Sequence, residues 1–241
     1  MKVVVVIQAR MGSSRLPGKV LKKLCGKTVL GHLVERVKQC KAVDEIIVAT
    51  TTKEYDSKIM DESFNYGVKV FRGSEDDVLS RYYYAALETN AEVVVRITSD
   101  CPLFDPHLLE EAIEIYKKSI YDVVRLGVDG GFPRGFDMEI FHFKLLEEAY
   151  QNAEESYQRE HVTPYLYDNH SNILSIKSNE DLSMYRVTLD TIEDFQVINA
   201  IYQELYRGQH DFYFQDIIKF LKLHPEIRAI NANIEQKSRS C

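Results

Sequence analysis

The feature that most limits the fold is a rhythm of short, nearly all-apolar β-branched runs separated by helical patterns. Residues 3–7, 45–51, 68–71, 92–98 and 122–126 read as strands, and residues 29–41, 55–66, 77–89 and 106–118 as the helices between them. Asp105 followed by Pro106 supplies an N-cap and a first-turn proline for the last of these helices. Strands that are apolar at successive positions must be covered on both faces, the condition of a parallel sheet between helical layers. The predicted class is therefore α/β with a mostly parallel sheet, in which ligands gather beyond the carboxyl ends of the strands. After residue 126 the rhythm breaks at "GVDGGFPRGFDMEIF", with helical patterns at 143–153 and 157–168, and resumes with a strand at 184–189 and helices at 191–206 and 214–223. The chain reads as one domain, 1–241, in which 127–180 is an insertion expected to bind an acceptor and to pair two chains as a homodimer.

Charge is distributed unevenly along this frame. The formal total is −7, yet residues 1–34 carry Lys2, Arg10, Arg15, Lys19, Lys22, Lys23 and Lys27 with no acid, which leaves −14 on residues 35–241 once those seven positive charges are set against the total. A net-acidic chain is poorly suited to nucleic acid or an anionic membrane surface, whereas one basic segment suits a small anion. The four cysteines, Cys25, Cys40, Cys101 and Cys241, form no CxxC pair and read as reduced thiols, and neither a zinc site nor a disulfide framework is expected. The apolar run at 3–7 is too short for a signal-peptide core, and no stretch has the length of a membrane span, so a cytoplasmic location is expected.

The basic segment opens "IQARMGSSRLPGKVL" directly after the first strand. It is not a standard P-loop: five residues separate Gly12 from Gly18-Lys19, and Val20 stands where a magnesium-binding hydroxyl would be needed. A long loop whose backbone amides and cationic heads surround a polyphosphate is the better reading. Its candidate nucleotide-binding residues are Gln8, Ala9, Arg10, Gly12, Ser13, Ser14, Arg15 and Lys19. The strand at 92–98 delivers Asp100, in "RITSDCP", to the same sheet edge, where a carboxylate can hold Mg²⁺ with help from substrate phosphates.

The motif R-x-x-S-S-R-L-P-G-K resembles that of the sugar-acid cytidylyltransferases, which include the CMP-Kdo and CMP-sialic acid synthetases, and most closely the SpsF group of spore coat polysaccharide biosynthesis proteins. The resemblance continues through "RGSEDDVLSRYYYAA", "RITSDCPLFDP", "FPRGFDMEIF", "REHVTPYLY", "RVTLDTIEDF" and "INANIEQK". It implies a nucleotide-diphosphosugar transferase-like, Rossmann-like fold, and a Mg²⁺-dependent transfer of CMP from CTP to a sugar acid or related acceptor with release of pyrophosphate. It also implies Asp100 and Asp190 as the metal pair, Arg15, Lys19 and Asp100 as catalytic groups, and Ser74 and Asp77 beside the nucleotide base. Arg134, Asp137, Glu139, Arg159 and His161 fall on the acceptor side.

Several of these residues have alternative roles. Asp190 can cap the helix that follows it, with Glu193 three residues on, and Thr191 with Asp194 is a rival cap. The "SEDD" of residues 74–77 resembles an acidic metal motif of glycosyltransferases, but a cap of the next helix is favoured for its acids. Tyr82, Tyr83 and Tyr84 are read as packing residues. His161 can bond the acceptor or orient its nucleophile, or serve packing alone; the remaining histidines show no ligand spacing. A glycosyltransferase of related fold and a noncatalytic nucleotide-binding protein are the competing functions.

Overall fold

β1 (Val3–Gln8) runs through the middle of the molecule, its side chains from Val3 to Ile7 all fully buried. The computed structural model describes residues 1–236; Cys241, and Lys237 at the end of "INANIEQK", lie outside the described residues. In chain order β1 is followed by β2 (Lys23–Leu24), β3 (Lys27–Thr28), α1 (Val29–Val37), β4 (Glu45–Thr51), α2 (Ser57–Asn65), β5 (Lys69–Gly73), α3 (Val78–Glu88), β6 (Val93–Thr98), α4 (Pro106–Lys118) and β7 (Val123–Leu126). Then come β8 (Met138–His142), α5 (Phe143–Asn152), α6 (Ser156–His161), α7 (Pro164–Asn169), β9 (Ile173–Ser175), α8 (Ile192–Leu205), α9 (Phe214–Leu223) and α10 (Pro225–Ala229).

β2 and β3 form a small hairpin, and the other strands form one sheet in the order β5-β4-β1-β6-β8-β7-β9. β8 runs antiparallel to both β6 and β7, and every other pair in that sheet is parallel. The alternation of side chains along a strand sends Val3, Val5 and Ile7 into one apolar layer with residues of α1, α4, α8 and α9. Val4 and Val6 enter the other, with residues of α3 and α5. From β1 the chain moves outward to β4 and β5, then returns to add β6 on β1's other side. The carboxyl ends of β1 and β6 therefore flank the point where strand order reverses, the place where open α/β sheets bind ligands.

Three expectations need correction. The run 184–189 forms no extended strand; its one bridge joins Arg186 to Arg134 in parallel. The expected helix 157–168 is two helices, because Val162 takes a positive φ of 72° and Thr163 N–H bonds the His161 carbonyl at 2.9 Å, a tight γ-turn. Pro164, lacking an N–H, could not have continued the first helix. Residues 127–180 are also not set apart from the domain: β8 lies between β6 and β7, β9 extends the same sheet, and residues of α5 and α7, with Val162 between α6 and α7, pack in the layer with α3.

The segment around Gly135 meets the 185–187 run backbone to backbone: Arg134 N–H bonds the Tyr185 carbonyl at 3.2 Å, and Val187 N–H bonds the Arg134 carbonyl at 2.8 Å. Gly135 has φ of 115°, and a Cβ there would stand 2.6 Å from the Val187 carbonyl carbon. Gly135→Ala is expected to destabilise the fold by at least about 2 kcal/mol, through backbone strain and a clash that cannot relax. Urea unfolding followed by circular dichroism measures it, and wild-type stability in that variant would contradict the packing described.

Candidate active site

The loop between β1 and Lys19 is folded on itself before any ligand arrives. Met11 N–H donates to the buried Asp56 carboxylate at 2.7 Å, and the Met11 carbonyl accepts from Ser13 N–H at 2.8 Å and Gly18 N–H at 2.9 Å. Leu16 and Val20 sink into the core, and Gly18 turns the chain at φ 68°. The short turn Lys19–Leu21 then drives the Lys19 side chain inward.

From the other side, β6 ends at Thr98, whose hydroxyl donates to Asp100 Oδ1 at 2.6 Å. The Asp100 carbonyl accepts Leu189 N–H at 2.8 Å, which brings Asp190 alongside. Lys19 Nζ completes the site by bridging Asp100 Oδ2 at 2.7 Å and Asp190 Oδ1 at 2.8 Å. Arg15 Nη2 and Arg186 Nη2 each reach Asp190 Oδ2 at 2.8 Å. Residues far apart in sequence thus share one charged cluster at the carboxyl edge.

Burial works against the charge on both Lys19 and Asp100, and the partners outweigh it. The two carboxylates raise the Lys19 pKa above its ordinary value, and the Lys19 ammonium with the Thr98 hydroxyl holds Asp100 below the usual carboxylate range. The rival readings at residue 190 also separate. Thr191 and Asp194 form the reciprocal capping box of α8, Thr191 accepting from Asp194 N–H at 3.3 Å, so the Asp190 side chain is left to the cations.

The other expected site residues divide. Arg10 is exposed, makes no ion pair among the described residues, and lies near Arg81, whose pKa burial and the Arg10 charge both lower. Gln8 Oε1 is 3.5 Å from Arg96 Nη2. Ala9 is buried, Gly12 and Ser14 lie on the exposed loop, and Ser13 Oγ accepts Leu16 N–H at 3.4 Å. Ser74 Oγ accepts Asp77 N–H at 3.2 Å, and Asp77 caps α3 through Ser80 N–H at 2.9 Å. Its second oxygen takes Arg159 Nε and Nη2 at 3.0 and 2.7 Å, so the cap reading of this acid fits its geometry.

On the expected acceptor side, Arg159 also donates to the Tyr150 and Ala153 carbonyls, and its guanidinium ties α6 to the start of α3. Glu139 accepts Arg96 Nη1 at 2.9 Å and the Thr163 and Tyr167 hydroxyls at 3.3 Å. Arg134 is half-buried at its bridge to Arg186, and burial lifts Asp137 above the usual carboxylate range although it accepts Gly135 N–H at 2.8 Å. His161 is half-buried at the end of α6. The spacing of the histidines gave no sign that His32 Nδ1 and His210 Nε2 would meet at 2.8 Å in the core, where burial lowers their pKa values to about 4 and about 3.

Residues 4–220 match the family model described as cytidylyltransferase. The chain belongs to the cytidylyltransferase family. It is 35% identical over 233 residues to the spore coat polysaccharide biosynthesis protein SpsF of Bacillus subtilis, covering 92% of this chain and 94% of that protein. A cytidylyltransferase from Leptospira borgpetersenii has the same fold at TM-score 0.89 and 35% identity, covering 99% of this chain and all of that one. The structure of a CMP:2-keto-3-deoxy-manno-octonic acid synthetase superposes at TM-score 0.68 with 22% identity, over 85% of this chain and all of that one, a likeness of fold. Among the described residues no helix is long and apolar enough to cross a membrane.

The geometry of this cytidylyltransferase-family site fixes a pH signature. Asp100, with its pKa depressed, contributes stability that is present above the unfolded carboxylate value and lost as pH falls through the folded one. Lys19, with its pKa raised, contributes below the unfolded lysine value and loses that contribution as pH rises through the folded one. Both are present from about pH 4 to about pH 10. Lys19→Met leaves Asp100 buried without its cation and is expected to cost about 3 kcal/mol at pH 7. The Asp100 pKa then rises above its unfolded value, so the variant regains stability relative to wild type between pH 7 and pH 5. Urea unfolding at both pH values measures this; a deficit that does not change with pH would contradict the buried cluster.

Proposed function

We propose that the protein transfers CMP from CTP to a sugar acid or a related hydroxyl-bearing acceptor, releasing pyrophosphate, as a step in making surface polysaccharide or glycan precursors. The observation that carries this reading is the convergence of Asp100 and Asp190 on Lys19, with Arg15 beside them, at the carboxyl ends of the strands. SpsF of Bacillus subtilis, similar along nearly its full length, carries spore coat polysaccharide biosynthesis in its name, and the superposed synthetase was solved with CTP.

The donor set suits Mg²⁺. Asp100 and Asp190 each turn a carboxylate oxygen to the same cation, the Lys19 ammonium, at 2.7 and 2.8 Å, so both carboxylates face one point. Magnesium commonly takes only one or two protein carboxylates and fills its shell from phosphates and water. When bound, Mg²⁺ would offset phosphate charge and polarise the α-phosphate. Asp100 and Asp190 would hold it, and Arg15 and Lys19 would draw the β- and γ-phosphates into line. The acceptor hydroxyl gives up its proton to solvent and its oxygen bonds the α-phosphorus as the bond to the bridging oxygen of pyrophosphate breaks, and Arg15 and Lys19 stabilise the departing charge.

Acid chemistry at Asp77 receives less support. Its carboxylate is occupied by the α3 cap and by Arg159, so the "SEDD" segment is poorly placed to serve as a glycosyltransferase metal motif.

A coupled pyrophosphate assay across four nucleoside triphosphates and a panel of acidic sugars tests the reading. CTP with Mg²⁺ is expected to give turnover with at least one acceptor, and chelation of the metal to stop it. Arg15→Lys keeps the charge but loses the planar fork, and kcat/KM for CTP is expected to fall at least about 10-fold. Release of nucleoside mono- or diphosphate from a nucleotide sugar, without pyrophosphate, would replace this reading with a glycosyltransferase.

A further inference from the structure

Asp194 and Asn231 take no part in the reaction as argued so far, yet both are buried next to it. Capping α8 needs only one side of the Asp194 carboxylate. Oδ2 accepts the Asp190 and Thr191 amides at 2.9 and 3.0 Å. Oδ1 is directed elsewhere, accepting Arg186 Nε at 2.9 Å and Asn231 Nδ2 at 2.8 Å. Asn231 Nδ2 also donates to the Arg186 carbonyl at 3.0 Å. Arg186 is thereby gripped at its backbone and at its Nε edge, with its Nη2 on Asp190 Oδ2 at 2.8 Å and its Nη1 on Gln236 Oε1 at 2.9 Å.

The Asp190 carboxylate is therefore set from behind. Its own amide and the guanidinium on its outer oxygen both end at Asp194, and Asn231 holds Asp194 and Arg186 together. Asn231 comes from the "INANIEQK" motif, a stretch with no other assigned purpose, and α10 returns the chain to bring it there. The same stretch brings the Glu235 carbonyl to 3.5 Å from Arg15 Nη1, so it borders both arginines that touch Asp190. A structural cap alone explains neither the second oxygen of Asp194 nor the return of the C-terminal segment.

We propose that Asn231 is a positioning residue of the reaction site, which acts through Asp194 and Arg186 to fix the Asp190 carboxylate in the orientation that holds the metal. This rests on the reaction proposed above, in which Asp190 is a metal-holding group. Groups that orient a ligand carboxylate commonly change metal affinity or activity by about 10-fold to 100-fold when removed.

The test is Asn231→Ala, studied well below its melting temperature. Free Mn²⁺ is titrated by electron paramagnetic resonance in the presence of CTP, and kcat and the KM for CTP are measured at low and at saturating metal. The metal concentration for half-saturation is expected to rise about 10-fold or more. At saturating metal kcat is expected to recover, with the KM for CTP near wild type. A residue that merely supports the fold would lower the melting temperature and leave the metal titration unmoved. The double variant D194N/N231A is expected to show a shared loss, since both positions belong to one network. If Asn231→Ala does not fold, Arg186→Lys, which cannot hold Asp190 and Asp194 together, carries the same titration. Folded variants with wild-type metal dependence, or a double variant whose losses multiply, overturn the proposal. A wild type that binds Mn²⁺ and CTP but releases no pyrophosphate with any acceptor sinks the reaction instead, while the titration still decides the positioning role.

Discussion

The buried ammonium of Lys19 is the interaction on which the rest of the site depends. An amine taken out of water is costly unless its charge is met at close range. Here it is met twice, by Asp100 from the end of β6 and by Asp190 from the residues ahead of α8. The cost forces long-range order: the loop after β1, the β6 end and the 184–190 run must all be in place for any one of them to be tolerable. That explains why so much backbone bonding surrounds the cluster, from Met11 and Gly18 within the loop to Leu189 on the Asp100 carbonyl.

Such an arrangement is also preorganised. Electrostatic catalysis is efficient when charges already point at the place where new charge develops and need not be rearranged during the reaction. Arg15, Lys19 and Arg186 are held by Asp100, Asp190 and Asp194 in a network that excludes most solvent. The residues that face solvent, such as Arg10 and Ser14, lie on the outer part of the loop.

What was legible in the sequence follows from how each feature is encoded. The central strands could be read because β1, β4 and β6 are buried on both faces and so are apolar at nearly every position. β8 could not: it follows a glycine-rich loop, runs antiparallel, and carries Glu139 inside a short apolar stretch, a charge that becomes intelligible only once Arg96 is found opposite it. The break at Val162 depends on a positive φ in a β-branched residue, which no local propensity favours. Of the clustered residues, Lys19, Asp100 and Asp190 could be singled out because each sits in a recognisable motif. Asp56, Arg186 and Asn231 were not, because each acts through a partner distant in the chain. Their only sequence trace is that Arg186 and Asn231 fall inside quoted motifs.

The charge balance of the resting cluster bears on how the proposed substrates would enter. Three cations, Arg15, Lys19 and Arg186, face three carboxylates, Asp100, Asp190 and Asp194, so the cluster is close to neutral as it stands. A triphosphate arriving alone would bring several negative charges into a region of low effective dielectric, drawing Lys19 and Arg15 toward it and leaving Asp100 and Asp190 exposed to mutual repulsion. A divalent cation arriving alone would compete with Lys19 for the same two carboxylates. Arriving together, the metal would take Asp100 and Asp190 from Lys19 while the phosphates would take Lys19 and Arg15, with Arg186 and Asp194 still paired behind them. Under the proposed reaction the resting site therefore favours nucleotide and metal as one unit over either component, and the source of that preference is the ammonium that occupies the meeting point of the two aspartates beforehand.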